Sequence, residues 1–375
     1  MTEVFVVNSG SSSIKYQLVD VETGAAIVGG LVERIGEPGS AARDHTAGMK
    51  IALDALGEGH DIAAVGHRVV HGGTVFTEAT VITPGVQKQI EKLSPLAPLH
   101  NPANLIGIRA AIKAMPDVPQ VAVFDTAFHK TLSADAYTYA IDAKVAKKYG
   151  VRRYGFHGTS HKYVSERAAA FLGRDLADTK TIVLHLGNGA SACAIDGGKS
   201  IDTSMGMTPL AGLVMGTRSG DIDPAILSYL HREADLSFKD LDKLLNNGSG
   251  LLGLAGEGDM RDVQDAASKG DETAEAALAV YRHRIRHYIG AYLAQLGRLD
   301  ALVFTAGVGE NSVALRAQAL QGLEGLGISV DPSRNAAESK SERYISPDGS
   351  PVAVLVIPTN EELEIARQSV AALHE

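Results

Sequence analysis

VFVVNSGSSSIKYQLVD, residues 4–20, consists of two apolar runs joined by an unusually polar turn. A hairpin turn needs about two to five residues, of which one or two are special, such as Asn-Gly. This turn carries four serines, one glycine and one asparagine, and Lys15 follows inside the second run. Small residues let a ligand approach the backbone, and N–H groups, hydroxyls and a lysine suit phosphate oxygens. The stretch predicts two strands whose turn binds phosphate, with a solvated serine-rich hairpin as the alternative.

The composition is that of a globular protein without a general attraction to polyanions. The chain has 375 residues, of which 45% are hydrophobic and 21% charged, and this length predicts about two domains. A net charge of −9 argues against nucleic acid or an anionic membrane as a partner. The single cysteine, Cys193, favours a reducing cytoplasm. No secretory signal is evident, and no apolar stretch approaches the roughly 20 residues of a membrane span.

Short apolar runs alternate with helical patterns along the chain. The runs are typical of buried strands: AAVGHRVV, QVAVFD, TIVLHLG, ALVFTAG and PVAVLVIP. The helical patterns between them include residues 85–97, 161–173, 223–234 and 273–297. This alternation predicts an α/β architecture with mixed or parallel sheets. Residues 34–50 lack a period and are expected to form a loop.

The two halves of the chain share one order of strands and polar turns. Asn8 and Asn188 each follow an apolar run within a small-residue turn. Each half then offers a run that ends in a polar, glycine-containing turn, and later a run that ends in an acidic turn: 66–73 and 306–311, then 122–129 and 356–362. The pattern predicts a duplication, with a cleft between two similar domains.

Two familiar nucleotide-binding motifs occur only in part. GGKS at 197–200 resembles the end of a Walker A loop, but the first glycine would have to replace Cys193. GSGLLG at 248–253 has the glycine spacing of a dinucleotide loop, but it follows a helical pattern where the fingerprint needs a strand. Both motifs are rejected, and a Rossmann dehydrogenase is disfavoured.

Other turns carry groups that suit phosphate chemistry. HLGNGAS at 185–191 and AGVGEN at 306–311 follow strands and offer backbone donors, although each alone could be a tight turn. Arg218 lies in a loop bounded by glycine and serine, beside Asp221 and Asp223. A solvated surface arginine is the alternative there, but several such turns in one chain favour an anion site.

Histidine accompanies arginine at two further turns. His67, Arg68 and His71 lie together in GHRVVHGG, and His157 and His161 lie in YGFHGTSH. Within each turn the two histidines are four residues apart, but neither pair lies within a predicted helix and no cysteine pair accompanies them, so a structural zinc is not expected. We interpret these turns as places where positively charged side chains are concentrated.

Taken together, these motifs resemble the acetate kinase family, which belongs to the acetate and sugar kinase, heat-shock-chaperone and actin-like superfamily. The matching motifs occur in the family's order between residue 4 and about residue 366: NSGSSSIK, GHRVVHGG, FDTAFH, YGFHGTSH, HLGNGAS, GTRSGDIDP, FTAGVGEN and PTNEE. The resemblance implies an α/β fold of two duplicated actin-like (ribonuclease H-like) domains with a cleft between them. The implied domains are residues 1–126 plus 363–375 and residues 127–362.

The resemblance also implies an activity. Members transfer a phosphoryl group reversibly from ATP to acetate and form acetyl phosphate and ADP, with Mg²⁺, for which Mn²⁺ substitutes, as cytoplasmic homodimers that pair through the second domain. A propionate or butyrate kinase is the nearest rival, and an actin-like or chaperone ATPase module is a rival from another class. A cationic cluster beside an apolar pocket favours the kinase, because an ATPase needs no such pocket.

Site residues follow from the same resemblance by position. The implied catalytic residues are Asp125, His157 and Arg218. The implied substrate-binding residues are Arg68, Val70, Leu99, Phe156 and Pro209. The implied ATP-binding residues are Ser11, Ser13, Lys15, His185, Leu186, Gly187, Asn188, Gly189, Asp259, Met260, Arg261, Gly307, Val308, Gly309, Glu310 and Asn311. The implied metal ligands are Asn8 and Glu361.

These residue types fit the implied chemistry. In-line transfer from ATP to a carboxylate brings two anions together, so cations must neutralise the charge. Arginine suits this task because its planar fork binds carboxylate or phosphate with two hydrogen bonds. A carboxylic acid with a pKa of ~4 to 5 is already ionised at neutral pH and needs no base. Asp125 is therefore expected to orient an arginine or a metal-bound water rather than to transfer a proton.

Overall fold

The computed structural model describes residues 2–57 and 59–374 and divides the chain into two compact units. Unit 1 takes its described residues from 1–130, 156–160 and 360–375. Unit 2 takes its residues from 131–155 and 161–359. Each unit contains one six-stranded mixed sheet with helices.

The domain boundaries expected from the sequence differ from this division at three short segments. Residues 127–130, 156–160 and 360–362 belong to unit 1, although they were expected in the second domain. The Gly158 N–H donates to the Asp125 carbonyl at 2.9 Å, which ties the second segment to unit 1. The third segment contains the start of a helix that packs on the unit 1 sheet.

Twelve strands lie in the described ranges 2–57 and 59–374. They are β1 Glu3–Ser9, β2 Ile14–Asp20, β3 Ala26–Val32, β4 Ile62–Val69, β5 Thr80–Val81, β6 Gln120–Phe124, β7 Lys180–Leu186, β8 Ala190–Asp196, β9 Lys199–Thr203, β10 Ala301–Thr305, β11 Arg343–Tyr344 and β12 Ala353–Val356.

The same ranges contain fifteen α-helices. They are α1 His45–Asp54, α2 Pro84–Lys92, α3 Asn101–Ala114, α4 Ala134–Tyr137, α5 Ala143–Tyr149, α6 Gly158–Phe171, α7 Ala225–Glu233, α8 Phe238–Asn247, α9 Gly250–Ala255, α10 Met260–Ser268, α11 Glu272–Leu296, α12 Ala306–Asn311, α13 Val313–Leu320, α14 Pro332–Ala336 and α15 Glu361–Ala371. Short 3₁₀ turns occur at Ser94–Leu96, Ala127–Thr131, Leu176–Asp178 and Glu324–Leu326.

The two sheets have the same topology. In unit 1 the strand order is β3-β2-β1-β4-β6-β5: β1, β2 and β3 pair antiparallel, β1, β4 and β6 pair parallel, and β5 is antiparallel to β6. Unit 2 repeats this arrangement with β9-β8-β7-β10-β12-β11. The predicted duplication is therefore present at the level of topology, and the equivalent turns follow equivalent strands.

The core of unit 1 explains why the opening stretch is so apolar. Val4, Phe5, Val6 and Val7 are all buried, so β1 is covered on both of its faces. Helix α3 packs on β1 and β4, and α15 packs on β1, β4 and β6. Continuous apolar runs rather than alternating ones are expected of strands with two buried faces.

The loop expected at residues 34–50 is present over residues 34–44, whereas residues 45–50 lie in helix α1. The Asp44 carboxylate accepts a hydrogen bond from the Ala47 N–H at 2.8 Å and caps the helix. Met49 and Ala52 are fully buried in the core of unit 1. The helix is stabilised by this packing, because a glycine-containing segment of ten residues has little helical preference of its own.

The other sequence predictions of secondary structure have mixed outcomes. GGKS lies in the β8–β9 hairpin and GSGLLG follows helix α8, so both rejections are confirmed. AGVGEN was expected to be a turn, but it forms helix α12, which begins directly after β10 with Ala306 at φ 64°. No helix of the described residues is long and apolar enough to cross a membrane.

Candidate active site

Three parallel strands of unit 1 end at one edge of its sheet. Val7 pairs with His67, and Val69 pairs with Phe124. Ligands of open α/β sheets bind beside the carboxyl ends of parallel strands. Asn8, Arg68 and Asp125 lie at these three strand ends, so the register brings together residues from three separate motifs.

Arg68 and Asp125 form a bidentate ion pair at this edge. Arg68 Nε donates to Asp125 Oδ1 at 2.9 Å, and Arg68 Nη2 donates to Asp125 Oδ2 at 2.7 Å. Asp125 is 1% exposed. Burial acts to lower the pKa of Arg68, but the charges of Asp125 and Glu361 outweigh burial and raise it. The guanidinium is therefore fixed in orientation and stays charged.

Helix α15 brings two glutamates to the same edge. Asn360 caps the helix by accepting the Leu363 N–H at 3.0 Å, and Glu361 and Glu362 form its first turn. The helix crosses β4 closely at Gly66, where a Cβ would lie 2.6 Å from Ser369 Oγ. A larger residue there would displace the helix and both glutamates.

A small cavity of about 70 Å³ lies at this edge of unit 1. It is lined by Val6, Asn8, Lys15, Tyr16, Arg68, Glu361, Glu362 and Ile365. The Lys15 ammonium forms an ion pair with Glu362. Among the described residues, the cavity lining includes Lys15 from the opening motif but neither Ser11 nor Ser13. Ser11 is exposed, Ser13 is partly buried, and the turn is closed by the Gly10 N–H bonded to the Ser13 carbonyl at 2.8 Å.

The predicted metal ligands, Asn8 and Glu361, line this one cavity. Burial raises the pKa of Glu361, Arg68 opposes the rise, and Asp125 adds to it. A carboxylate at such a site would be stabilised by a nearby cation. An amide oxygen, a carboxylate and retained water are ligands that Mg²⁺ accepts, so these residues fit the ion.

His157 lies in unit 1 on a strained turn. Its backbone has φ 56°, a left-handed conformation that is uncommon for a residue other than glycine. The turn is held on both sides: His129 Nε2 lies 3.0 Å from the Phe156 carbonyl, and the Gly158 N–H bonds to the Asp125 carbonyl. Such strain clusters at functional sites, and the two bonds tie the backbone on either side of His157 to the segment that contains Asp125 and His129.

The predicted apolar pocket residues of unit 1 differ in their exposure. Phe156 is 1% exposed, and its ring lies edge-on to the His71 ring with centroids 5.4 Å apart. Val70 is partly buried just beyond the end of β4, and its N–H donates to Asn104 Oδ1 at 3.1 Å. Leu99 is 61% exposed.

Unit 2 contains a much larger cavity of about 520 Å³, which is in the usual size range for a small-molecule site. Eight of the predicted ATP-binding residues line it: Gly187, Asn188, Asp259, Met260, Arg261, Gly307, Val308 and Asn311. Six further lining residues were not predicted: Gly216, Leu251, Gly258, Gln264, Tyr281 and Ser312. Gly216 is the first residue of GTRSGDIDP, and Gly258 directly precedes the predicted Asp259. Gln264 lies in helix α10 beyond the predicted Met260 and Arg261, whereas Tyr281 lies inside helix α11, whose sequence carries no recognised motif.

The remaining predicted nucleotide residues of unit 2 do not line this cavity in the part of the chain that the structure describes. They are His185, Leu186, Gly189, Gly309 and Glu310. Leu186 is fully buried in β7. Glu310 Oε1 accepts the Thr359 N–H at 3.1 Å, and the Gly309 carbonyl accepts from Arg316 at 2.9 Å. Through these hydrogen bonds, Gly309 and Glu310 connect helix α12 to neighbouring segments of unit 2.

Asp259 and Arg261 form a pair at the rim of the unit 2 cavity. Asp259 Oδ1 accepts the backbone N–H of Arg261 at 2.9 Å and caps helix α10. The guanidinium of Arg261 donates to Oδ2 of the same carboxylate at 2.6 Å. This hydrogen bonding lowers the pKa of Asp259 to about 2.

Arg218 is held to the backbone of its own unit. Its Nη1 donates to the Pro209 carbonyl at 2.8 Å, so the structure brings these two predicted residues together. Helix α9 approaches the Arg218 loop at Gly250, which has φ 63° and where a Cβ would lie 2.7 Å from the Arg218 carbonyl. The glycine spacing of GSGLLG therefore has a packing function.

One sequence interpretation needs correction, and the partners of a neighbouring acid are now defined. Asp221, three residues after Arg218 in the sequence, accepts hydrogen bonds from the Gly212 N–H at 2.7 Å and from the Tyr288 hydroxyl at 2.6 Å. His67, interpreted as a cation, is 2% exposed and bonds to Gln120 at 2.8 Å. Burial lowers the pKa of His67 to about 4, so it is neutral at pH 7.

Comparisons with known proteins agree over the whole length. The sequence model of the acetokinase family matches residues 3–367. The acetate kinase of Clavibacter michiganensis subsp. michiganensis is 63% identical, and the match covers 99% of each chain. The crystal structure of Porphyromonas gingivalis acetate kinase has a TM-score of 0.95 at 43% identity and covers 100% of both chains.

The crystal structure of a propionate kinase is nearly as similar to this chain. A propionate kinase from Francisella tularensis subsp. tularensis has a TM-score of 0.92 at 42% identity, with 99% of this chain and 100% of that chain covered. These likenesses confirm the predicted α/β class with two actin-like halves. With a family match from residue 3 to residue 367, this chain belongs to the acetokinase family.

Proposed function

We propose that this chain is an acetate kinase, which transfers a phosphoryl group reversibly between ATP and acetate. The observation that carries the proposal is the guanidinium of Arg68, held by two hydrogen bonds to Asp125 at the carboxyl ends of three parallel strands. An arginine fixed in this way is a preorganised fork for a carboxylate or a phosphoryl group.

The residues of unit 1 have distinct roles in this proposal. Arg68 binds the carboxylate of acetate, and Asp125 orients Arg68 through its two hydrogen bonds. Val70 and Phe156 bound the methyl group. His157, held on its strained turn, donates a hydrogen bond to the transferring group. No general base is needed, because the attacking carboxylate is already ionised near neutral pH.

Unit 2 supplies the nucleotide site and a second arginine. The cavity of about 520 Å³ holds the nucleoside against Gly307 and Val308, with Asn188 and Gly187 near the phosphates. Arg218 stabilises charge on the transferring phosphoryl group, as arginines do in other phosphoryl transfer enzymes. Its bond to the Pro209 carbonyl restricts the positions that the guanidinium can take.

Asn8 and Glu361 hold Mg²⁺ in this proposal, together with water. The ion, when bound, screens the charge of the nucleotide phosphates. Lys15, which forms an ion pair with Glu362, adds a point charge beside them. The raised pKa of Glu361 supports a site at which a cation is expected.

A propionate kinase is the second candidate, because the propionate kinase named above is 42% identical to this chain. The two activities differ by one substrate methylene, which a pocket distinguishes by roughly 10- to 200-fold.

We further propose a homodimer in a reducing cytoplasm. Exposed apolar side chains of unit 2, such as Phe238 at 74% exposure, and a single buried cysteine, Cys193, support this.

Trapping of the product with hydroxylamine tests the activity. ATP, Mg²⁺ and acetate, propionate or butyrate are incubated in parallel, and hydroxamate is measured. We expect hydroxamate with acetate at a kcat/KM at least about 10-fold above that with propionate. Arg68→Ala should abolish it, whereas Arg109→Ala, which removes an exposed arginine on α3, should not. ATP hydrolysis without hydroxamate would instead indicate an ATPase module.

A further inference from the structure

Two buried asparagines on helix α3 face the catalytic edge of unit 1. Asn101 is fully buried and Asn104 is 4% exposed. Residues three apart on a helix lie on the same side, so both amides can reach the segment that follows β4. Both lie outside the residues to which the proposed function assigns a role.

The Asn101 side chain forms two hydrogen bonds with the backbone of His71. Its Nδ2 donates to the His71 carbonyl at 3.0 Å, and its Oδ1 accepts the His71 N–H at 3.1 Å. The His71 ring in turn packs edge-on against Phe156. Asn101 thereby fixes the residue that supports one wall of the proposed methyl pocket.

Asn104 bridges two strand ends. Its Nδ2 donates to the Ser9 carbonyl at 2.8 Å, and its Oδ1 accepts the Val70 N–H at 3.1 Å. The ladder between β1 and β4 stops at the pair of Val7 and His67. Beyond that pair, the side-chain amide of Asn104 connects the ends of the two strands in place of backbone hydrogen bonds.

The two ends joined by Asn104 carry different parts of the proposed site. Ser9 is the last residue of β1, next to Asn8, and the polar turn to β2 follows it. Val70 bounds the methyl pocket and lies two residues beyond Arg68. A shift at either end would therefore be passed to the other through one buried amide.

We propose that Asn101 and Asn104 are positioning residues of the carboxylate site. Asn101 sets the shape of the acyl pocket through His71, and Asn104 couples that pocket to the phosphate-binding turn. The inference rests on the proposed function, because it assigns Val70 and Phe156 to the substrate methyl group. Neither asparagine contacts the reacting atoms.

The two single variants have different expected effects. Asn101→Ala should raise the KM for acetate by about 10-fold and the propionate-to-acetate ratio of kcat/KM by several-fold, with the KM for ATP near that of wild type. Asn104→Ala should raise the KM for both acetate and ATP and lower kcat by about 10-fold or more, because it loosens both ends.

Gln120→Ala is the matched control. Gln120 is also a buried amide of unit 1, and its Nε2 donates to the carbonyls of Met115 and Val118 at 3.3 and 3.0 Å. It lies at the opposite end of β6 from Asp125. Its loss should reduce thermal stability while leaving both KM values and the substrate ratio unchanged.

The outcomes separate the possible explanations. If the asparagine variants lose stability as the Gln120 variant does but keep wild-type KM values and substrate ratio, the amides serve folding alone and the inference is wrong. Asn101→Ser and Asn104→Ser are judged in the same way if the alanine variants do not fold. If the wild-type protein forms no hydroxamate from acetate, the proposed function itself fails, and this inference fails with it.

Discussion

The Arg68 guanidinium and the Asp125 carboxylate meet side by side, with two N–O distances of 2.9 and 2.7 Å. The contact uses two of the five N–H donors that a guanidinium has. Asp125 is nearly fully buried, so its carboxylate is occupied in orienting the arginine. This geometry supports an orienting role for Asp125 over proton transfer.

Asp125→Asn should lower kcat/KM for acetate by about 10²-fold, because the amide turns one N–H group toward Arg68 and misplaces the guanidinium. The residual rate should show no new pH dependence between about pH 6 and 8. Steady-state kinetics across that range provide the measurement, with Asp117→Asn at an exposed position as the control. A residual rate that climbs steeply with pH, or rescue by an added small base, would indicate proton transfer.

Arg218→Ala should lower kcat by roughly 10³-fold or more and change the KM for ATP little, because the lost charge acts on the transferring phosphoryl group. Arg232→Ala removes an exposed arginine of the same unit and should leave kcat unchanged. Near-normal kcat in folded Arg218→Ala protein would contradict the role assigned to this arginine.

Val70→Ala removes two methyl carbons from the proposed acyl pocket and should make space for about one substrate methylene. Burial of a methylene contributes about 0.8 kcal/mol, so the propionate-to-acetate ratio of kcat/KM should rise by about 4-fold. Parallel hydroxamate assays with the two acids measure the ratio. Val81→Ala, on the edge strand β5, is the control, and an unchanged ratio in both variants would misplace the pocket.

His67 should make the stability of unit 1 depend on pH. Its pKa is about 4 in the folded protein against an ordinary value of 6.5, because burial disfavours the charged form. As pH falls from 6.5 toward 4, the unfolded chain gains a proton that the folded chain does not, so the free energy of unfolding should fall by about 3 kcal/mol. Above that window the contribution is fully present.

Urea denaturation of wild type and His67→Asn over this pH range tests the point. The variant should lack this part of the pH dependence, whatever its stability at pH 7. His374→Asn, at an exposed position, should keep the wild-type dependence. Equal slopes for wild type and His67→Asn would show that His67 is not the titrating group.

Much of the fold could be predicted because its signals are local. The apolar runs that became β1, β4, β6, β7, β10 and β12 owe their composition to burial on both faces. The repeated order of turns predicted two equivalent halves, and both sheets have that topology. Helix α1 was missed because its stability comes from buried Met49 and Ala52 rather than from a clear period.

The sequence by itself determined the strands, the duplication, the family and the residue types at the site, since each depends on neighbours along the chain. Only the tertiary structure decided which of those residues meet. Arg68 and Asp125 are 57 positions apart, and Asn104 lies 95 positions from Ser9. Hydrogen bonds require distances near 3 Å and aligned groups, and strand register and helix packing set both. No local pattern contains that information.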